Sequence, residues 1–210
     1  MRWLVVVAVA VVAVSVAVVA LGAAGLVHLA RSTPRTEPAP PPRFTAAATW
    51  AAGAYRAPSF ALHDEKGAPV TLAALRGRPV VVTFMDPVCK DLCPLEARVL
   101  GAAIRKLPAD QRPVVVAVSV NPPADTAANF ARDSVRWQLG PQWRWAVGSR
   151  KQLAPVWRAY RVDVQPSSDG EVAHTEAAYI VDKHGDARAV YVYPFAAADF
   201  AQSLRDTAGD

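Results

Sequence analysis

The apolar positions of this 210-residue chain fall into three regimes. The first is a long, nearly uncharged run from Leu4 to Ala30, built mostly of Val and Ala. A bilayer-spanning helix needs about 20 apolar residues, and a signal h-region only about 7–15. Residues 1–30 are therefore expected to form an uncleaved signal anchor, a single transmembrane helix. Residues 31–57 abandon the pattern: Pro34, Pro38, Pro40, Pro41 and Pro42 sit among alanines with few large apolar side chains. Such a composition predicts a semi-rigid tether. From residue 58 to 210, short apolar runs alternate with helical spacings, as expected of one folded domain.

Within that domain, Phe60 and Leu62 alternate with polar or small residues. The Asp64-Glu65-Lys66-Gly67 turn and Val70 and Leu72 follow, the pattern of a β-hairpin. Pro79 to Met85 is continuous and rich in β-branched residues, as a strand buried on both faces should be. Leu95, Val99, Ala103 and Leu107 recur at helical spacing, with Glu96, Arg98, Arg105 and Lys106 mostly off that face. Pro94 suits the first turn, where its missing N–H is not needed. Pro113 to Val120 is a second fully apolar strand, so strand, helix and strand make a βαβ unit with parallel pairing. Further on, the spacing predicts a helix over 124–136, a short strand at 143–147 and a Ser149-capped helix to about Tyr160 with Pro155 inside it. Val162 and Val164 read as short and extended, and residues 165–173 as a loop leading into His174. A β-hairpin over 177–193 and a helix over 196–205 close the chain. This order predicts an α/β, thioredoxin-like fold, a mixed central sheet flanked by helices, with an N-terminal hairpin and an insertion around 124–165.

Charge adds little. The net charge is +5. Arg2, Arg31, Arg35 and Arg43 against Glu37 put +3 before residue 44, leaving +2 for everything after it. No basic stripe interleaved with aromatics marks a nucleic-acid surface. The tryptophans at 137, 143, 145 and 157 and Met85 read as packing residues, and His63 and His184 as solvated.

The chemistry lies in the loop after the central strand, which carries the only two cysteines, Cys89 and Cys93. They flank three residues and are followed by Pro94. A helix N-terminus favours thiolate over thiol, so both sulfurs are expected to be activated. A plain disulfide here would close a tiny loop and constrain the unfolded chain little. The position therefore reads as redox or metal chemistry. His174 precedes an apolar strand whose start should face the cysteine loop. Two thiolates and one imidazole are one donor short of the usual structural zinc site and suit copper, Cu(I) in particular.

Cys89-to-Cys93-Pro94 stands in order with Leu75-Arg76-Gly77-Arg78-Pro79, Val118-Ser119-Val120-Asn121-Pro122 with Asp125-Thr126, and His174 before Tyr179-Ile180-Val181-Asp182. That ordered set resembles the SCO/SenC family of copper-binding assembly factors over roughly residues 58–205. The resemblance implies copper, as Cu(I) or Cu(II), held by Cys89, Cys93 and His174. It also implies a membrane-anchored protein with its soluble domain on the extracytoplasmic side of the cell membrane, serving the dinuclear copper site of cytochrome c oxidase or another cuproprotein. An alternative is a thiol–disulfide oxidoreductase using Cys89 and Cys93 catalytically, for instance to keep the thiols of that copper site reduced. Two departures stand out. The family usually has Tyr-Thr where this chain has Asp86-Pro87, and an Asp before the histidine where this chain has Ala173. The missing acid is expected to weaken the orientation of the imidazole.

Overall fold

The computed structural model describes residues 45–166 and 172–209. The expected signal anchor, residues 31–44 of the expected tether and residues 167–171 lie outside the described residues. Among the described residues no helix is long and apolar enough to cross a membrane.

The strands are β1 (Ala48–Thr49), β2 (Ala61–His63), β3 (Pro69–Thr71), β4 (Val80–Met85), β5 (Val114–Ser119), β6 (Trp143–Ala146), β7 (Val164–Pro166), β8 (Val172–His174), β9 (Ala177–Val181) and β10 (Ala187–Val192). Four α-helices are present among the described residues: α1 (Leu92–Arg105), α2 (Ala127–Arg136), α3 (Arg150–Ala159) and α4 (Ala197–Ala208). A six-stranded sheet runs in the order β1-β10-β9-β4-β5-β6. β4, β5 and β6 pair in parallel, while β9 joins β4 antiparallel and carries β10 and β1 beyond it. β2–β3 and β7–β8 form separate two-stranded ribbons.

β4 and β5 are buried along their whole length, so their side chains alternate between two cores. Val80, Val82 and Phe84 face one core with Leu62, Leu153, Trp157 and Tyr160. Val81 and Met85 face the other with Leu100 and Ile104 of α1 and Phe200 and Leu204 of α4. The hairpin and α3 thus cover one face, and α1 and α4 the other. Trp137, Trp143, Trp145 and Trp157 are all buried.

The structure departs from the sequence reading in three places. First, residues 45–57, expected as tether, are folded: Ala48 and Thr49 pair with Val190 and Ala189, and Trp50 stacks on Tyr55 at 4.9 Å. An edge strand of two residues is too short to leave a periodic signal. Second, the inward face of α1 is turned from the expected one. Cys93, Glu96, Ala97, Leu100 and Ile104 are buried, whereas Leu95 is 40% exposed. A buried carboxylate broke the simple apolar pattern. Third, the segment before His174 is not a loop throughout. β7 and β8 form an antiparallel ladder that pairs Val164 with His174.

Phe84 is fully buried and packs 5.5 Å from the Tyr160 ring centroid. Phe84→Ala should cost about 3–5 kcal/mol by cavity formation. Val135→Ala, at a site 81% exposed, should stay within about 0.5 kcal/mol. Urea denaturation of the two variants checks both.

Candidate metal centre

The centre is built where three strand ends meet. β4 ends at Met85, and Asp86 follows it, wholly buried. Its carboxylate accepts from the Val88 N–H (2.9 Å), from Asn121 Nδ2 with both oxygens (3.1 and 3.2 Å) and from the Val172 N–H (3.0 Å). One side chain thus ties the cysteine loop to the end of β5 and the start of β8. Arg132 of α2 donates to the Pro87 carbonyl (2.6 Å) and holds the loop from outside. The rest of the sequence motif is local structure. The Ser119 hydroxyl donates to Asp125 (2.6 Å), and the Thr126 hydroxyl accepts from the Asn129 N–H to cap α2.

The loop delivers the two sulfurs differently. Cys89 is partly exposed and Cys93, in the first turn of α1, is fully buried. The Cys93 thiol hydrogen-bonds the Cys89 sulfur, which also receives the backbone N–H groups of Asp91, Leu92 and Cys93, and together these pull Cys89 down to about 7. The same contact, with burial and the nearby Glu176 carboxyl, pushes Cys93 well above the ordinary thiol range. Both cysteines were expected to be activated. Only Cys89 is, because the hydrogen bond between the two sulfurs favours charge on Cys89 and disfavours it on Cys93, with backbone N–H groups adding to the first effect and burial to the second.

His174 ends β8 with its side chain only 1% exposed. Its Nε2 lies 3.5 Å from Cys93 Sγ and 3.2 Å from Glu176 Oε1. Its Nδ1 faces the Thr175 carbonyl at 3.2 Å. A carbonyl only accepts, so Nδ1 carries the proton and Nε2 turns a lone pair inward. Burial lowers the imidazole's proton affinity, so the ring is neutral at neutral pH. The expected support from residue 173 is replaced here by a backbone contact. Ala173 is exposed on the opposite face of β8, and the Thr175 carbonyl orients the ring instead.

Of the expected site residues, Cys93 and His174 come together. Cys89 sits beside Cys93 and supplies the solvent-facing side of an otherwise buried site. Two acids join them that the sequence reading left aside. Glu176 Oε1 is 3.7 Å from Cys93 Sγ. Glu96, wholly buried one turn beyond Cys93, accepts from the Thr83 hydroxyl at 3.0 Å and meets Glu176. Each has one oxygen with no partner unless a proton lies between the two carboxyls. Burial pushes Glu96 well above the ordinary range and Glu176 to about 7, so the pair retains a proton at neutral pH. Both had a readable signal: Glu96 shares the i, i+3 face of Cys93, and Glu176 abuts the all-apolar β9. His63 and His184 are exposed and lie outside this group.

Two further outcomes follow from this geometry. Alkylation of the reduced protein by iodoacetamide should label Cys89 first, with a rate that rises through a midpoint near pH 7, whereas Cys93 in the same protein should stay unlabelled across that range. Mass spectrometry of the labelled peptide reads both. Asp86→Ala should speed amide exchange at Val88 and Val172, whose N–H groups lose their acceptor, by about 10-fold or more.

A profile of the SCO1/SenC family matches residues 50–209. The chain is 32% identical over 154 residues to "Protein SCO2 homolog, mitochondrial" of Mus musculus and 32% identical over 134 residues to the Bos taurus protein of that description. These matches cover 70% and 60% of this chain but only 60% and 50% of those relatives. Among solved structures it is similar to Arabidopsis thaliana ScoI with copper bound, with a TM-score of 0.64 and 26% identity over 71% of this chain and 98% of that one. It is also similar to Bradyrhizobium japonicum ScoI with copper bound, with a TM-score of 0.58 and 27% identity over 73% of this chain and 99% of that one.

Proposed function

This chain belongs to the SCO1/SenC family, and on that premise we propose that its reduced domain binds one copper ion through Cys89, Cys93 and His174 and passes it to an acceptor protein. The observation that carries the reading is the neutral imidazole aimed at Cys93 Sγ from 3.5 Å, with the Cys89 thiolate alongside. Two soft sulfurs and an imidazole fit copper better than a hard cation. The similar ScoI structures carry copper on the same fold.

The residues divide the work. Cys89, partly exposed and partly ionised near neutral pH, meets the incoming ion first. Cys93 gives up its proton as it joins, which makes loading favour higher pH. His174 adds a third donor without adding charge. Release reverses the order, since Cys89 is the sulfur an acceptor thiolate can reach. The acceptor is the copper-site subunit of cytochrome c oxidase or another cuproprotein, and residues 1–30 anchor the domain to the extracytoplasmic face of the membrane through the tether.

A second reading has an observation of its own. A low-range Cys89 beside a protonated Cys93 is the arrangement of a thiol–disulfide oxidoreductase, with Cys89 as nucleophile and Cys93 as resolving thiol. The two roles share one dithiol, because only the reduced pair binds copper.

Anaerobic titration of the soluble domain should show one copper bound per chain. Cys89→Ser and Cys93→Ser should abolish tight binding. His174→Ala should weaken it by more than about 100-fold, beyond what an outer hydrogen-bond partner is worth, while both thiols still form a disulfide. Undiminished copper retention in His174→Ala together with full disulfide reductase activity would leave the oxidoreductase as the better account.

A further inference from the structure

Resting on the copper reading above, we infer that Glu176 is a fourth donor to the ion, and that it biases this centre toward divalent copper. Three observations converge. First, Cys93 Sγ, His174 Nε2 and a Glu176 oxygen all lie within 4.8 Å of one another, a set that does not include Cys89. A four-coordinate ion with sulfur at about 2.3 Å and nitrogen and oxygen at about 2.0–2.2 Å spaces such donors by about 2.9–3.1 Å in a square-planar arrangement and by about 3.4–3.6 Å in a tetrahedral one. The observed separations are 3.5, 3.2 and 3.7 Å.

Second, the lone pairs point at one another. The Thr175 carbonyl takes the imidazole proton at Nδ1, so Nε2 faces the Glu176 oxygen with no proton of its own. Two acceptors held 3.2 Å apart repel unless a proton or a cation lies between them. The Cys93 S–H is given to the Cys89 sulfur, and a cation seated between the two acceptors would satisfy both.

Third, Glu176 is held for this task. Its carboxyl meets that of Glu96, which is itself fixed by the Thr83 hydroxyl at 3.0 Å. The carboxylate is buried and aimed by its partners rather than free to find water.

The charge count gives the selectivity. Two thiolates and one carboxylate carry −3, so Cu(II) leaves the centre at −1 and Cu(I) at −2. Without Glu176 those values are 0 and −1. Within a buried site the added negative charge favours the ion of higher charge, and a carboxylate oxygen is a poor donor to soft Cu(I).

The test compares Cu(I) and Cu(II) affinities of wild type, Glu176→Gln and Glu176→Ala, using competing chelators, with far-UV circular dichroism as the fold control. Cu(II) affinity should fall about 10-fold or more in both variants, while Cu(I) affinity stays level or rises and the copper midpoint potential moves up. Adding Cu(II) to wild type should also give bound-carboxylate stretches in the infrared difference spectrum, a measurement that needs no variant to fold. Equal loss of both ions in a folded variant, or no loss of either, overturns the inference while leaving the copper reading intact. So does a wild-type difference spectrum without carboxylate bands. A wild-type domain that binds neither ion overturns both.

Discussion

The buried carboxylate of Asp86 is the interaction on which the centre depends. Withdrawing a carboxylate from water is costly unless its oxygens are fully paired, and here three nitrogen donors from three segments supply the pairing. Each donor belongs to a different strand end or loop, so one group's need for partners fixes their mutual position. The cysteine loop, the Asn121 corner and the start of β8 are separate in sequence. Packing of the two cores brings their strands side by side, but it is directional hydrogen bonding that sets the loop against the histidine strand. Thr175 and Asp163 add a second tie, since the Thr175 N–H donates to the Asp163 carbonyl (3.1 Å) and the Asp163 N–H to the Thr175 hydroxyl (3.2 Å).

The centre that results is polarised. Its outer side is a thiolate in reach of solvent, and its inner side is a neutral imidazole, a protonated thiol and a pair of acids sharing one proton. The cause is position along the helix start. Cys89 receives backbone N–H groups and a thiol hydrogen bond, all of which favour its charge. Cys93 lies inside the first turn, among buried groups that disfavour its charge. A dithiol arranged in this way presents one sulfur for exchange and keeps the other in reserve, which serves metal transfer and disulfide chemistry alike.

The two departures from the usual family pattern have structural accounts. Asp86 stands at the position that ties the loop to β5 and β8, so the acid is used for assembly. Ala173 is exposed, on the opposite face of β8 from His174, and the Thr175 backbone carbonyl faces the imidazole Nδ1.

The sequence by itself determined the elements and the chemistry-bearing loop. β4 and β5 were legible because strands buried on both faces must be apolar throughout, and the helix after Cys89 because Pro94 and a 3.6-residue spacing leave few alternatives. The approach of Cys93 to His174 was legible through its ordered motifs. Other features were decided only by the tertiary structure. The two-residue strand β1 and the β7–β8 ribbon have no periodicity long enough to read, since their pairing comes from partners far along the chain. The rotation of α1 that buries Glu96 and exposes Leu95 runs against polarity, and it is stable only because Thr83 and Glu176 stand opposite. The split between the two thiols depends on burial, a property of the assembled fold. Glu176 reads in sequence as an acid before a strand; its place 3.2 Å from His174 Nε2 exists only once β8 and β9 pack over the start of α1.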